Sequence, residues 1–492
     1  ASLSALSEKY QIGKKGDEIE NTLDKRLQDF TDEELGRLGD YAVNDVDLTY
    51  DLFTIMAKGF PKKELKLIDL SLRMFVEPML KLDRTLLENH ITITRQRKEE
   101  LLVDARVSKE DLMSNDKFAL QLQRLGVSPP KKLSPTTGKE TWAFAKSDEE
   151  FKHLLTHQDE KVQSLVAARL GSKSTLEETR TQRFIDIAQR GLLPVPVRYY
   201  AAHTGRWGGD DKINLQNLPS RGANANMLKR GIIAPEGYSI IDADSAQIEA
   251  RVLAWLAEQD DLTQAFTNGE DVYKKMASKI YGVAEGEIVK DQRFVGKTTI
   301  LGAGYGMGAQ KFQDQLKTFG FDMDINEARR VIKVYRDSNT EIKNLWRDAQ
   351  LFLKDGNTFG KRGVLYVEDG KILLPSGLYL RYDDLQFTTT DKGVEFDYKT
   401  RRGRVRIYGG KIIENVCQAI ARCIIGEQML QIAKRYRVVL TVHDSIACCV
   451  KDEEVEEAQQ YIEECMRQPP EWAEGLPIDC ESGTGKSYGE CG

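Results

Sequence analysis

Tyr238-Ser239-Ile240-Ile241-Asp242-Ala243-Asp244-Ser245-Ala246-Gln247-Ile248-Glu249-Ala250-Arg251 reads as an apolar strand over 238–243 that gives way, at a carboxylate, to a helix. Ile248, Val252, Trp255 and Leu256 fall at i, i+4, i+7 and i+8, the spacing of one buried helical face. Near the other end of the chain, the β-branched run Val438–Val442 and its return Ile446–Val450 flank His443-Asp444-Ser445, which reads as a hairpin. Two carboxylates, Asp244 and Asp444, thus stand at strand ends far apart in sequence. If their strands are neighbours in one sheet, they meet at one edge and can hold two Mg²⁺ ions about 3.5–4 Å apart. Such ions take hard oxygen ligands rather than His or Cys. Strand alternation puts Asp242 on the face of Asp244, so spacing leaves the choice between them open. Aspartates that merely cap a helix and a hairpin would give the same pattern.

Working outward, residues 258–350 are helical in pattern, and within them Arg293, Lys297, Leu301 and Tyr305 recur at steps of four. Two cations and an aromatic on one stripe can hold a triphosphate and stack on a base. Surface ion-pair residues beside one core tyrosine would look alike. Residues 362–411 read as strands and hairpins, with Arg402, Arg404 and Arg406 alternating onto one face, and Glu414–Tyr436 as a helix. The segment before the deciding stretch, Leu192–Pro219, is turn-rich with basic residues between. Leu65–Ile187 is a charged helical projection broken by a turn-rich stretch over 128–138, and Ala1–Lys58 reads as short helices with a cap at Thr31 before Asp32-Glu33-Glu34.

Three glycine-rich stretches imitate phosphate loops and fail. Gly483-Thr484-Gly485-Lys486-Ser487 would need its first glycine at Cys480 and a following helix that the C-terminus leaves no room for, so it reads as a flexible tail. Gly296-Lys297-Thr298 has Asp291 in the glycine position, and Gly302–Gly308 has no G-x-G-x-x-G register. A P-loop motor is therefore disfavoured. Over 492 residues, 40% hydrophobic and 30% charged, the composition is that of a multidomain globular protein, with no apolar run of membrane-spanning length. Seven cysteines without a C-x-x-C pair point to reduced thiols and a cytosol. A net charge of −6 means that any grip on nucleic acid is local, for example through 198–230, 290–297 and 401–411.

These residues together resemble the family A (polymerase I-like) DNA polymerases. Asp244-Ser245-Ala246-Gln247-Ile248-Glu249-Ala250-Arg251 is similar to the first palm motif, which selects Asp244 over Asp242. Arg293, Lys297 and Tyr305-Gly306 resemble the fingers motif, and Val442-His443-Asp444 the second palm motif. Thr204-Gly205-Arg206 with Asn214-Leu215-Gln216-Asn217-Leu218-Pro219 looks like the primer-template segment, and Ser172-Lys173-Ser174-Thr175 like the base of the thumb. Leu374-Pro375-Ser376-Gly377 and Gln418 fit palm positions, and Tyr408-Gly409-Gly410-Lys411 through Gln418-Ala419 looks most like the bacteriophage branch.

The resemblance implies an α+β right-hand fold, with 61–190 as palm entry and thumb, 191–257 as palm, 258–362 as fingers and 363–492 as palm. It implies primer-template DNA and dNTPs as partners, two Mg²⁺ ions (or Mn²⁺) on Asp244, Asp444 and the Ser245 carbonyl, and the host cytoplasm if the chain is phage-encoded. Arg293, Lys297, Leu301, Tyr305, Glu249, Gln247 and Tyr273 would serve the nucleotide, with Lys297 also protonating the pyrophosphate leaving group. Arg206, Asn214, Gln216, Asn217, Lys173, Gln418 and His443 would serve the DNA. Tyr41-Ala42-Val43-Asn44-Asp45 resembles the third 3′–5′ exonuclease motif, and its two companion motifs are missing; the D-x-E at 32–34 lies in the wrong place. Residues 1–60 therefore read as the end of an incomplete exonuclease domain. Ser445, Leu301, Tyr273 and Cys423 stand where relatives carry Glu, an aromatic, His and Asp, which touches nucleotide selection rather than the metal ligands. The rivals are a single-subunit RNA polymerase, against which Glu249 argues, and a nucleic-acid-binding protein with a dead site.

Overall fold

The computed structural model describes residues 2–491 apart from 135–137, 147, 173–174, 220–225, 356–358, 361–363, 369 and 392. The chain forms two units, Ala1–Lys66 and Leu67–Gly492. In the first, the expected short helices are one 26-residue helix, Asp32–Ala57, preceded by a short one, Leu3–Tyr10. Thr31 caps it in a reciprocal capping box: Glu34 N–H donates to Thr31 Oγ1 (3.3 Å) and Thr31 N–H to the Glu34 carboxylate (2.8 Å). With no glycine or proline between Gly39 and Ala57 to stop it, the helix runs on.

The second unit is organised on a four-stranded antiparallel sheet in the order Arg437–Val442, Ser445–Lys451, Tyr238–Ser245, Cys480–Gly485. Tyr238–Ser245 is central because Ile240, Ile241 and Ala243 are fully buried, while the charged positions collect at its C-terminal end. The fourth strand corrects the expectation of a flexible tail. Gly483 pairs with Asp242, and a side chain built on it would lie 1.9 Å from the Cys491 carbonyl oxygen. The glycines serve close backbone packing, not phosphate.

Behind the sheet runs the 24-residue helix Gly409–Ile432, buried nearly all round, as its run of Ile, Val, Ala and Cys demands. Helix Ile248–Ala257 is likewise enclosed on every side, so the stripe read from its sequence understates its burial. A separate core of Leu112, Phe118, Phe144, Phe151 and Leu165 lies in the helical segment that precedes the sheet, where the turn-rich break contains strand Lys131–Leu133, paired with Glu140–Trp142. The arginines of strand Gly403–Ile407 are already engaged: Arg404 binds Asp397 and Asp384, and Arg406 pairs with Glu395 at 2.7 Å, while Arg402 lies in the preceding turn.

Helices Val272–Tyr281 and Lys290–Ala303 cross where Gly296 faces the Tyr273 carbonyl oxygen. A β-carbon there would sit 2.2 Å from that oxygen, which is main chain and cannot swing aside. Gly296→Ala is expected to destabilise this helix pair by about 1–3 kcal/mol and to lower the melting temperature. An unchanged melting temperature would mean that the two helices part freely.

Candidate active site

The end of strand Tyr238–Ser245 and the tip of the hairpin at His443-Asp444 come together by register. Ser445 is the pairing partner of Asp244, and Ser245 N–H donates to the Asp444 carbonyl at 3.1 Å. The two-residue turn is held in place by Gln216, whose amide donates to Thr441 O (2.6 Å) and accepts from His443 N–H (2.8 Å). His443 itself adopts the left-handed conformation, φ 53°, with its ring exposed. Gln216, read in sequence as a DNA contact, is here buried and clamps main chain.

Asp244 is open to solvent. Partial burial and then the neighbouring carboxylates Asp242, Asp444 and Glu481 push it up from 3.8 to about 6. Asp242 lies deeper on the same face. Its Oδ1 is sealed without a hydrogen-bond partner, burial raises its pKa, and Ser445 hydrogen-bonds to the carboxylate. Glu481, opposite Asp244 in the edge strand, was invisible in sequence because its strand looked like a tail.

Arg206 counters this acidity. Its guanidinium donates to Glu249 at 2.6 Å and to both oxygens of Asp444 at 3.1 and 3.2 Å. Burial opposes its charge, yet Asp444 and Glu249 hold its pKa above the ordinary value. No spacing rule could link Arg206 to Asp444, 238 residues away.

The donor set fits divalent magnesium: two carboxylates and a main-chain carbonyl at one edge, with mutual repulsion that a cation would relieve. Among the described residues there is no cluster of three or more His, Cys, Asp or Glu ligands. Mg²⁺ characteristically takes one or two carboxylates and completes its shell from phosphates and water. Because Arg206 sits on Asp444, Arg206→Ala is expected to tighten Mn²⁺ binding to the DNA-free protein several-fold, by removal of a competing positive charge. Electron paramagnetic resonance titration reads this directly, and weaker binding in the variant would contradict it.

Helix Lys290–Ala303 carries Arg293, Lys297 and Leu301 on one face. Tyr305 lies past its end in the Gly304-Tyr305-Gly306 turn, so the stripe is three helical residues plus one turn residue. Arg293 is held at 2.7 Å by Asp271, the N-cap of the preceding helix; burial pushes Asp271 up, but the Arg293 hydrogen bond and charge together with the Lys274 and Tyr273 N–H groups outweigh it and keep it low. Arg293 and Lys297 lie 5.3 and 5.8 Å from the centre of the buried Tyr273 ring, and Tyr273 hydrogen-bonds to Gln247. Gln247, left-handed at φ 54°, is the turn between strand and helix that directly follows Ser245-Ala246. The Tyr305 hydroxyl reaches Glu249 Oε2 at 3.4 Å, and burial raises its pKa well above the usual value. Lys297 is exposed and Leu301 is 42% exposed, so Leu301 does not pack into the core.

Asn214 caps a tight turn at Gln216 N–H (3.1 Å), and the carbonyl of exposed Asn217 accepts from Arg180 at 2.8 Å. Gln418 is half-buried on the long helix. Lys173 lies outside the described residues. In the first unit, Tyr41 and Asp45 stand one helical turn apart and share the Lys15 ammonium, whose pKa their hydrogen bonds raise.

Residues 86–363, more than half of the chain, match the family model of DNA polymerase family A, a match that ends before the Asp444 hairpin. A DNA polymerase of Bacillus phage SP02 is 27% identical over 343 residues, 59% of this chain and 51% of that protein. DNA polymerase I of Pseudomonas aeruginosa is 27% identical over 355 residues, 68% of this chain and 36% of that protein. The chain thus spans about half the length, or less, of these relatives. The POL domain of Pol1 from M. smegmatis, solved in complex with DNA primer-template and dNTP, matches the fold with a TM-score of 0.66 at 20% identity, over 100% of this chain and 79% of that one. This likeness carries the expected α+β polymerase fold, and the chain belongs to DNA polymerase family A.

Proposed function

We propose that the chain is a template-directed DNA polymerase that adds dNTPs to a primer 3′-OH and releases pyrophosphate, in phage replication within the host cytoplasm. One observation carries this reading: Asp244 and Asp444, 200 residues apart in sequence, stand side by side at one sheet edge, tied through Gln247 and Tyr273 to the Arg293–Lys297 face. The sheet is the palm, the helices of 258–362 are the fingers, and the helical projection is the thumb. Two Mg²⁺ ions, or Mn²⁺, on Asp244, Asp444 and the Ser245 carbonyl would supply a lowered pKa at the primer hydroxyl and charge neutralisation on the triphosphate.

The chain's own groups do the rest. Arg293 and Lys297 hold the β and γ phosphates, and Lys297 is placed to give a proton to the leaving pyrophosphate. Arg206 leaves Asp444 for the primer terminus. Gln418, Asn214, Asn217 and His443 contact the duplex, while Gln216 positions the hairpin. Primer extension on a defined template with dNTPs, with NTPs, or without a divalent ion tests the reading. Preference for NTPs would favour an RNA polymerase, and template binding without extension a dead site.

Glu249 is the sugar gate. It lies five residues after Asp244, with Arg206 and Tyr305 fixing its carboxylate. A ribose 2′-OH meets a steric and polar clash there, and each tenfold of selectivity corresponds to about 1.4 kcal/mol. Glu249→Ala is expected to raise ribonucleotide incorporation relative to dNTP by about tenfold or more. Unchanged discrimination in single-nucleotide kinetics would move the gate elsewhere.

A further inference from the structure

The loop of residues 201–206 is gripped from both of its ends by one side chain of the long helix. Arg422, 2% exposed on helix Gly409–Ile432, sets its guanidinium 5.2 and 5.4 Å from the ring centres of Tyr199 and Tyr200, which precede the loop. The same group lies 4.7 Å from the ring centre of Trp207, which follows the loop. Within the loop, Arg422 Nε–H donates to the Gly205 carbonyl at 3.1 Å. A guanidinium is planar with its donors in a fixed fork, so it can lie against aromatic rings and still hydrogen-bond in one set direction.

The loop is otherwise closed on itself. Ala201 and Ala202 N–H both donate to the Arg206 carbonyl, at 3.0 and 3.2 Å, and Gly205 N–H donates to the Ala202 carbonyl at 3.0 Å. Gly205 is left-handed at φ 80°, and a β-carbon there would lie 2.6 Å from the Tyr200 ring, so only glycine presents its carbonyl to Arg422 in this way. Trp207 is fixed in turn by its indole N–H on Ser71 Oγ at 2.9 Å. The residue after Gly205 is Arg206, whose guanidinium bridges Glu249 and both oxygens of Asp444. Those bonds survive only if the main chain beneath them is held, because a shift of about 1 Å would stretch them beyond hydrogen-bond range.

We propose that Arg422 is a positioning residue of the active site: caged by Tyr199, Tyr200 and Trp207, its guanidinium fixes the 201–206 loop and through it the reach of Arg206 to Asp444 and Glu249. Arg422 acts through Arg206 and touches no reacting group. The assignment of Arg206 to the site rests on the polymerase reading above.

The test is a double-variant cycle on the DNA-free full chain, read as Mn²⁺ affinity by electron paramagnetic resonance. Arg206→Ala and Arg422→Met are each expected to tighten Mn²⁺ binding several-fold, and the double variant to bind no more tightly than Arg206→Ala alone. A general effect of one lost positive charge would instead add in the double variant, so additivity overturns the proposal. So does parent-like affinity in Arg422→Met that is folded by its melting temperature, or in Arg206→Ala, which would leave no contact for Arg422 to position. Should Arg422→Met fail to fold, Arg422→Lys takes its place: it keeps the charge, loses the planar fork, and is expected to tighten Mn²⁺ in the same non-additive way, parent-like affinity again overturning the assignment. Primer extension by the parent protein is measured beside the cycle. Its absence overturns the polymerase reading, whereas the loop assignment stands or falls on the Mn²⁺ cycle.

Discussion

Asp244→Asn is expected to lower primer extension by about a thousandfold or more, equivalent to over about 4 kcal/mol of transition-state stabilisation, while primer-template binding survives. The same change is expected to stabilise the metal-free protein at neutral and alkaline pH. In the folded chain the Asp244 carboxyl takes up its proton at about 6, against an unperturbed value near 3.8. Between those values the folded state binds more protons than the unfolded one, so this group's contribution to stability falls as the pH rises through the window. Above about 6 the full cost of the partly buried charge and of its repulsion from Asp242, Asp444 and Glu481 is present, and Asn removes both.

Discounted for solvent screening at an open site, the gain is about 1 kcal/mol. It should be visible as a higher melting temperature at pH 8 in chelator and absent at pH 3. Asp444→Asn should match the loss of extension, and Asp242→Asn should lose much less. Near-normal extension by Asp244→Asn, or equal damage from Asp242→Asn, would remove the assignment of Asp244 as the ligand.

Leu301→Tyr is expected to raise the ratio of dideoxynucleotide to deoxynucleotide incorporation by about tenfold or more, about 1.4 kcal/mol of altered discrimination. Leu301 follows Lys297 by one step of four on the same helix face and is 42% exposed, so it stands at the surface rather than in the core, on the face proposed to meet the nucleotide. Leucine offers no hydroxyl where a tyrosine O–H can stand in for the missing 3′-OH. An exposed site also accepts the larger ring without overpacking, so the melting temperature should stay within the range of ordinary surface changes, about ±0.5 kcal/mol. Primer-template affinity should not move. A flat incorporation ratio with a fall in stability would place Leu301 in the core after all.

Local chemistry made several features legible in the sequence. The Thr31 cap, the strand over 238–243 with a carboxylate at its end, the hairpin turn around 443–445 and the shared face of Arg293, Lys297 and Leu301 each depend on residues within a few positions of one another, where spacing maps directly onto geometry. Family resemblance then ranked Asp244 above Asp242, and the structure adds a physical difference between them, Asp244 being exposed and Asp242 half-buried with its Oδ1 sealed from water. What the sequence could not determine was anything resting on long-range register or close backbone approach. Cys480–Gly485 joins the central sheet because Gly483 and Gly485 admit the folded-back terminus, a packing fact that a glycine-rich string conceals. Gln216 turned from a surface contact into a buried clamp only when the hairpin's main chain arrived beside it. Arg206 found Asp444 and Glu249 only through the tertiary fold, because its partners are set by Coulomb attraction in space and carry no signature along the chain.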